Sequence, residues 1–308
     1  ATVLLGRDRT ATGGREPLQM TRLLSQALLI TLIAGMSALL IVFWTHPARE
    51  ALVAGAALIL ITFSLVLERL WPHDPAWADV PRAEVAGDIG SFVLIFGILD
   101  GTLKWLTPFV VLALAPLPDS PGLPLWQQIL LAFVWIEFAA WASHWAHHRY
   151  RPLWALHAMH HSTERLYTLN NFRFHPFNHV LNHLAMILPL LWVGVAAEAI
   201  LVYTALMLPV LLLQHSNIAF DFGRLNLLFN TNDLHRWHHS TEPAEGMKNL
   251  GRALVLWDHV FCTYLRPAAS SGPAGIGLFK VSRSFPPASK FLAQIAWPFN
   301  PGCCRSAR

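Results

Sequence analysis

The stretch ALHAMHHSTE, residues 155–164, contains the pattern H-x-x-H-H followed by Ser-Thr-Glu, and residues 233–242 repeat it as DLHRWHHSTE. A shorter pattern, HWAHH, precedes them at residues 144–148. Residues three and four apart share one face of a helix, so each pattern is predicted to project its imidazoles to one side. Apart from His147, the histidines in these patterns are His144, His148, His157, His160, His161, His235, His238 and His239.

The rest of the chain is too apolar for an ordinary soluble domain. Of 308 residues, 54% are apolar and 13% are charged, whereas soluble domains carry about 25% charged residues. The net charge of +4 is typical of the basic cytoplasmic loops of a membrane protein, and no basic run indicates nucleic-acid binding. The three cysteines include no C-x-x-C pair, which disfavours a disulfide scaffold and a cysteine zinc site.

Apolar segments predict an all-α integral membrane fold. Four stretches have about the length that a helix needs to cross a bilayer: residues 23–44, 51–67, 91–117 and 124–148. The apolar residues 184–214 would span about 46 Å as one helix. Pro189, Gly194 and Glu198 therefore favour a re-entrant hairpin that enters and leaves on the same side.

The distribution of basic residues predicts the orientation. The loop after the third span lacks Lys and Arg, whereas the N-terminal flank, residues 68–90 and the segment after the fourth span are basic. This indicates a cytoplasmic N-terminus and a cytoplasmic helical cap that carries the histidines. Residues 1–20 are expected to be a disordered extension, with Met20 a possible natural start. Residues 21–265 form the predicted membrane domain, and 266–308 form a C-terminal tail.

Two charged residues lie inside the third predicted span. Asp100 and Lys104 are four residues apart, so they share a helix face and can pair. Charges inside a membrane segment suggest a function, but a structural pair beside a kink at Gly101 explains them equally well.

The clustering of histidines predicts metal binding. Thirteen of the 16 histidines lie between His144 and His239, and imidazole binds Zn, Cu, Fe and Ni. Eight ligands exceed the four that a tetrahedral zinc uses, so two metal ions are the simplest explanation. A solvated helix face would explain one such pattern, but explains three poorly. Unlike zinc, iron has redox chemistry and, as a pair, can activate O2 against an unactivated C–H bond.

The histidine patterns resemble those of the fatty acid hydroxylase/sterol desaturase superfamily of membrane di-iron oxygenases. The resemblance covers residues 134–266, and the three patterns match the eight-histidine signature H-x3-H, H-x2-H-H, H-x2-H-H. Further matching stretches are RFHP at 173–176, QHSN at 214–217 and NLGRALVLWDHVFCT at 249–263. The chain departs from the family pattern at Trp145, Cys262 and Asn178, where the family often has Arg, Gly and an acidic residue.

The resemblance implies two further ligands, His215 and His175. His179 and His183 share a helix face with His175 and remain alternatives for the tenth ligand. Metal-bound imidazoles usually donate their other N–H to a carboxylate or a carbonyl, and Glu137, Asp233 and Asp258 are the predicted partners. His147 points off the shared face and is not expected to be a ligand.

The resemblance also implies a function. Two iron ions would use O2 to hydroxylate or desaturate a lipid, in the bacterial inner membrane or the endoplasmic reticulum. Electrons would come from a ferredoxin- or cytochrome b5-like protein and its reductase, because no dinucleotide-binding motif is visible. The alternatives are a histidine-rich membrane metal transporter and a non-catalytic metal-binding membrane protein. Transporters place their ligands near the bilayer midplane, whereas these histidines lie at span ends. The substrate and the choice between hydroxylation and desaturation stay open.

Overall fold

The computed structural model describes residues 21–114, 122–266, 272–282 and 284–300. In these ranges the regular structure is helical, and the only β-pairing consists of three isolated bridges. The α-helices, numbered along the chain, are α1 Arg22–Val42, α2 Arg49–Leu70, α3 Arg82–Phe92, α4 Asp100–Ala113, α5 Leu125–Arg149, α6 Arg151–His157, α7 Pro176–Met186, α8 Leu188–Trp192, α9 Ala197–Leu213, α10 Asn232–His238, α11 Pro243–Gly246, α12 Leu256–Val260 and α13 Phe291–Ala296.

Shorter turns link these helices. A π-helical segment, Val93–Leu99, joins α3 to α4. The 3₁₀ turns are Pro75–Ala78, His160–Ser162, Thr168–Phe172, Gly223–Leu227, Lys280–Ser282 and Trp297–Phe299. Two predicted segments lie outside the described residues. They are the extension 1–20 and the loop without Lys or Arg, at residues 115–121.

Within the part of the chain that the structure describes, four helical segments are long and apolar enough to cross a membrane. They are α1, α2, the continuous helix Arg82–Ala113 and α5. Each buries a narrow stripe and exposes large apolar side chains, such as Ile59 on α2 and Leu112 on α4. Helices satisfy their own backbone hydrogen bonds, which a bilayer requires, and apolar side chains suit its hydrocarbon. These features confirm the predicted all-α integral membrane fold with four spans.

The third span begins nine residues earlier than predicted, at Arg82 instead of 91. Residues 82–90 contain polar side chains that suggest a loop, but several of these face the protein. Asp88 pairs with Arg173 while both are fully buried, and the Ser91 hydroxyl donates to the Phe172 carbonyl at 2.9 Å. Long-range partners therefore allow a polar stretch to be helical.

The apolar hairpin is formed by α7, α8 and α9. Its first limb breaks at Ile187, before Pro189, and the chain turns at Gly194, whose φ is +79°. The turn lies at the end of the molecule opposite the histidines, because Glu198 pairs there with Arg49 at 2.7 Å, at the start of α2. The hairpin thus enters and leaves on the histidine side, as predicted, and extends to the level of the α1–α2 loop.

The segments 272–282 and 284–300 pack against the histidine region, whereas the sequence suggested a tail. Trp154 stacks on Phe279 with ring centroids 5.1 Å apart and donates to the Ser282 hydroxyl at 2.9 Å. Arg173 donates to the Gln294 side chain at 3.0 Å, and Gln294 is fully buried. Apolar side chains among the Pro and Ser residues supply this packing.

Candidate metal centre

Nine of the ten predicted ligand histidines converge from five parts of the chain. The last two turns of α5 carry His144 and His148, and α6 ends at His157. A 3₁₀ turn follows with His160 and His161. The remaining members are His215, just after α9, and the α10 residues His235, His238 and its C-cap His239.

These nine side chains form two groups, and within each group every histidine offers one ring nitrogen that lies within 4.8 Å of those of the others. The first group is His144, His148, His157, His161 and His238, and the second is His160, His215, His235 and His239. The groups are adjacent, because the rings of His161 and His239 stack with centroids 4.2 Å apart.

The two H-x-x-H-H patterns each contribute to both groups. His157 and His161, four residues apart, enter the first group, while His160 enters the second. The later pattern does the reverse, with His235 and His239 in the second group and His238 in the first. The prediction that each pattern projects three imidazoles to one side is therefore wrong, because each pattern forms part of the wall between the groups.

The ring nitrogens are spaced as metal ligands would be. His144 and His157 face each other through their Nε2 atoms at 3.0 Å. In the second group, Nε2 of His235 lies 3.1 Å from Nε2 of His215 and 3.2 Å from Nε2 of His239. Two nitrogens bound to one ion at about 2.1 Å, at right angles, are about 3.0 Å apart. The spacing fits ligands around a shared cation.

Hydrogen bonds indicate which nitrogen would bind the ion. In the first group, Nδ1 of His144 donates to the Leu250 carbonyl and Nδ1 of His157 to the Asn178 side-chain oxygen, both at 2.9 Å. These acceptors leave the lone pair of each neutral ring on Nε2, so the facing Nε2 atoms of His144 and His157 cannot hydrogen bond to each other. A cation between them would satisfy both lone pairs.

Other nitrogens of the two groups are buried without a hydrogen-bond partner among the described residues. They are both ring nitrogens of His148 and His161, Nε2 of His238, and Nδ1 of His235 and His239. Leaving a buried polar atom unsatisfied costs about 1–3 kcal/mol. Such a concentration of unsatisfied nitrogens is unfavourable in a metal-free protein and fits a site for metal ions.

Burial keeps these rings neutral at pH 7. Desolvation lowers the pKa of His160 to about 3. The same effect lowers the pKa well below the ordinary value in His157, His161, His215, His235, His238 and His239. The neutral imidazole is the form that binds metals, so the site is prepared for ions without having to lose protons.

Neutral oxygens, not carboxylates, accept the outer N–H bonds of the rings. Besides Leu250 and Asn178, the acceptors are the Arg173 carbonyl for His160 at 3.3 Å, the Lys248 carbonyl for His238 at 3.0 Å and the Asn170 side-chain oxygen for His215 at 2.9 Å. Sequence reasoning missed the role of both asparagines. Asn178 is marked in the sequence only as a departure from the acidic residue of the family, and Asn170 carries no such signal.

The three predicted carboxylate partners brace the loops around the site. Among the described residues, no hydrogen bond joins Glu137, Asp233 or Asp258 to a histidine ring. Asp258 instead accepts from the Leu250 and Gly251 amides, both at 2.8 Å, and so orients the peptide that binds His144.

Glu137 and Asp233 each fix a different loop. Glu137 accepts from the Tyr203 hydroxyl at 2.7 Å and from the Leu254 amide at 3.0 Å. Asp233 accepts from the Phe222 amide at 3.3 Å. Both carboxylates therefore accept hydrogen bonds from backbone or side-chain groups other than the histidine rings.

The structure places His175 in neither group. Its Nε2 atom donates to the Ile295 carbonyl at 3.0 Å, and its Nδ1 atom accepts from the Phe177 amide at 3.2 Å, which caps α7. His179 lies 3.6 Å from Asp100, and His183 lies 2.9 Å from the Thr107 hydroxyl. Geometry therefore supports nine ligands and gives these three histidines other contacts.

The histidine expected not to be a ligand also lies outside both groups. His147 is buried, and its Nδ1 atom donates to the Ser143 carbonyl one turn earlier at 2.7 Å. Its ring packs beside His157, with centroids 5.6 Å apart.

Comparison with known proteins identifies the family. The fatty acid hydroxylase family matches residues 129–263. The ornithine lipid hydroxylase OlsE of Rhizobium tropici is 32% identical over 245 residues, which cover 76% of this chain and 72% of that protein. The alkylglycerol monooxygenase of Caenorhabditis elegans is 36% identical over 52 residues, 17% of this chain and 10% of that protein. No solved structure matches the chain. The family match contains all nine clustered histidines, and the chain belongs to the fatty acid hydroxylase/sterol desaturase superfamily.

Proposed function

We propose that this protein hydroxylates a C–H bond of a membrane lipid, using O2 and two iron ions held by the nine clustered histidines. The observation that carries the proposal is the pair of adjacent, buried groups of neutral imidazoles. Hydroxylation is favoured over desaturation because the two relatives are named as a hydroxylase and a monooxygenase. When bound, the iron pair supplies the redox chemistry that activates O2 against a C–H bond.

The residues of this chain prepare the site for that chemistry. Five rings donate Nδ1–H to neutral oxygens, which directs their Nε2 atoms inward. The wall between the groups contains His160 and His161 from one turn and His238 and His239 from another, so the two ions would share one rigid frame. Seven of the nine rings are buried and His144 and His148 are partly buried, which restricts water at the site and so limits unproductive reactions of a reduced site.

The membrane spans and basic flanks support the rest of the proposal. The protein would be a multi-pass protein of a bacterial inner membrane or the endoplasmic reticulum, with its histidines on the cytoplasmic side. Its substrate would reach the site from the same bilayer. An external ferredoxin- or cytochrome b5-like donor with its reductase would supply electrons from the cytoplasm.

The test compares lipid extracts from cells that express the wild type or His160→Ala, grown in air. His160 belongs to the second group and stacks on Phe174. We expect wild-type cells to contain a lipid with one added oxygen atom and the variant cells to lack it. The purified wild type should contain two iron ions per chain. His46→Ala, a change in the α1–α2 loop far from both groups, is the matched control and should leave the product unchanged.

Two results would contradict the proposal. The first is a product that persists in the His160→Ala cells. The second is metal flux across vesicles containing the wild type without any oxidised lipid, which would instead support a transporter.

A further inference from the structure

The charged pair inside the third span has a third partner and faces the outside of the protein. Lys104 contacts Asp100 at 2.7 Å, and His179 from α7 lies 3.6 Å from the other oxygen of the same carboxylate. The Lys104 side chain is 71% exposed and the Asp100 side chain 24%. We name Asp100, Lys104 and His179 the polar triad.

The triad interrupts an apolar surface. Its neighbours on α4 include Trp105, 66% exposed, and Phe109, 57% exposed. A charged side chain in such a surface costs several kcal/mol in a bilayer unless it is paired or reaches the headgroup region. Lys104 is paired with Asp100, but its exposed ammonium leaves room for a further partner outside the chain.

The register of α7 sets the triad at the level of the metal centre. Ser143 of α5 donates to Asn182 of α7 at 2.7 Å, just before His144 in α5. On the same helix, Asn178 binds His157, while the next residue, His179, faces Asp100. Successive helix residues point about 100° apart, so the triad and the first histidine group lie on different faces of α7, separated by about one helix diameter, ~10 Å.

The atoms of the triad that remain open have a defined chemistry. Among the described residues, the Lys104 ammonium contacts only Asp100, so its other N–H bonds face outward. Oδ1 of Asp100 lies 3.6 Å from Nε2 of His179, and the Asp100 side chain is 24% exposed, so the carboxylate keeps lone pairs for a further donor. Lys104 thus offers donors to an anion, and Asp100 offers an acceptor to a cation. A ligand with a single negative charge would be attracted by Lys104 and repelled by Asp100.

We propose that Asp100, Lys104 and His179 form a binding site for a membrane-lipid headgroup that carries both a cationic amine and an anionic group. The inference rests on the proposed function, because it assigns a headgroup class to the lipid that the enzyme oxidises. A headgroup bound there would keep the carbons nearest to it within about a helix diameter of the histidine groups.

Spin-labelled lipids test the site without requiring turnover. The wild type is reconstituted in nanodiscs with labelled phosphatidylethanolamine, phosphatidylglycerol or diacylglycerol, and the motionally restricted fraction gives their relative association. We expect the zwitterionic phosphatidylethanolamine to exceed the other two by about fivefold, the scale of one charge contact at a membrane surface. Lys104→Met and Asp100→Asn should each remove that preference.

The Arg49–Glu198 pair supplies matched controls at the opposite end of the bundle. Arg49→Met and Glu198→Gln make the same kinds of change and should leave the lipid preference intact. The metal content of every variant shows whether its histidine region is folded. Equal association of all three lipids with the wild type overturns the site, and so does a preference that survives in both triad variants. Phosphatidylglycerol bound as well as phosphatidylethanolamine would also overturn the proposal, because it would show a contact with an anion alone.

Failure of the site and failure of the proposed function give different results. A lipid preference that Lys104→Met removes, in a protein that never oxidises lipid, supports the site and contradicts the hydroxylase. Normal lipid oxidation by Lys104→Met with an unchanged KM supports the hydroxylase and contradicts the site.

Discussion

At the scale of single residues, Cys262 occupies a backbone conformation that favours glycine. Its φ is +58°, in the left-handed region that costs a side-chain-bearing residue about 1–2 kcal/mol. The family often has Gly at this position, and the strained φ explains that preference. Since Cys262 is exposed, removing its side chain opens no cavity. We expect Cys262→Gly to raise the free energy of unfolding by about 1 kcal/mol, measured by denaturant unfolding in mixed micelles.

Cys262→Ala separates the backbone effect from the loss of the thiol. It removes the sulfur but retains Cβ, so its stability should stay near that of the wild type. If Ala stabilises the protein as much as Gly does, the backbone explanation fails. The sequence shows that Cys262 departs from the family pattern, but only the structure shows the dihedral angle that gives the departure a physical consequence.

At the scale of the helices, hydropathy locates the spans but misses the segments that long-range polar contacts make helical. The cores of α1, α2 and α5 are predictable because their apolar runs are local. The start of α3 cannot be predicted in this way, because the charged Asp88 suggests a loop. Only the structure shows that Asp88 pairs with Arg173. The packing of residues 284–300 cannot be predicted from the sequence for the same reason, because Gln294 is buried where it contacts Arg173, a residue distant in sequence. Similarly, helical spacing alone cannot divide His157, His160 and His161 between two groups.

The buried Asp88–Arg173 pair therefore links α3 to the histidine region. We expect Asp88→Asn to lower the free energy of unfolding by about 3–5 kcal/mol, because it leaves the Arg173 guanidinium buried without its counter-charge. Denaturant unfolding in mixed micelles measures the change. Glu242→Gln is the control, since it breaks the exposed pair with Lys280 and should cost at most about 1 kcal/mol. Equal losses in the two variants would show that the buried pair has no special role.

At the scale of the whole molecule, the fold gathers neutral imidazoles from α5, α6, α10 and two loops into one buried centre. The sequence predicts that these histidines bind metal, and it identifies the nine that cluster. It does not separate them from His175, because the bond from its Nε2 to the Ile295 carbonyl joins parts of the chain that are distant in sequence. The centre holds many buried groups that acid can protonate, so we expect its stability to depend on pH.

The pH dependence has a definite sign. In the unfolded chain, histidines take up protons below about pH 6.5, whereas burial holds the pKa of His160 at about 3 and lowers that of the other clustered histidines outside the spans. Below pH 6.5 the unfolded state therefore binds more protons, and the stability of the metal-free protein falls as pH decreases, by up to about 1.4 kcal/mol per pH unit for each such histidine.

We expect the unfolding temperature of metal-free protein to fall steeply between pH 7 and pH 5.5, and to fall less when the protein is loaded with Fe²⁺. The bound ions compete with protons for the same ring nitrogens and are released only on unfolding or at lower pH. Thermal unfolding in detergent across this pH range, with and without Fe²⁺, measures both curves. His46→Ala removes a histidine outside the centre and should leave both curves unchanged. Identical curves with and without metal would mean that the clustered imidazoles do not bind the ions.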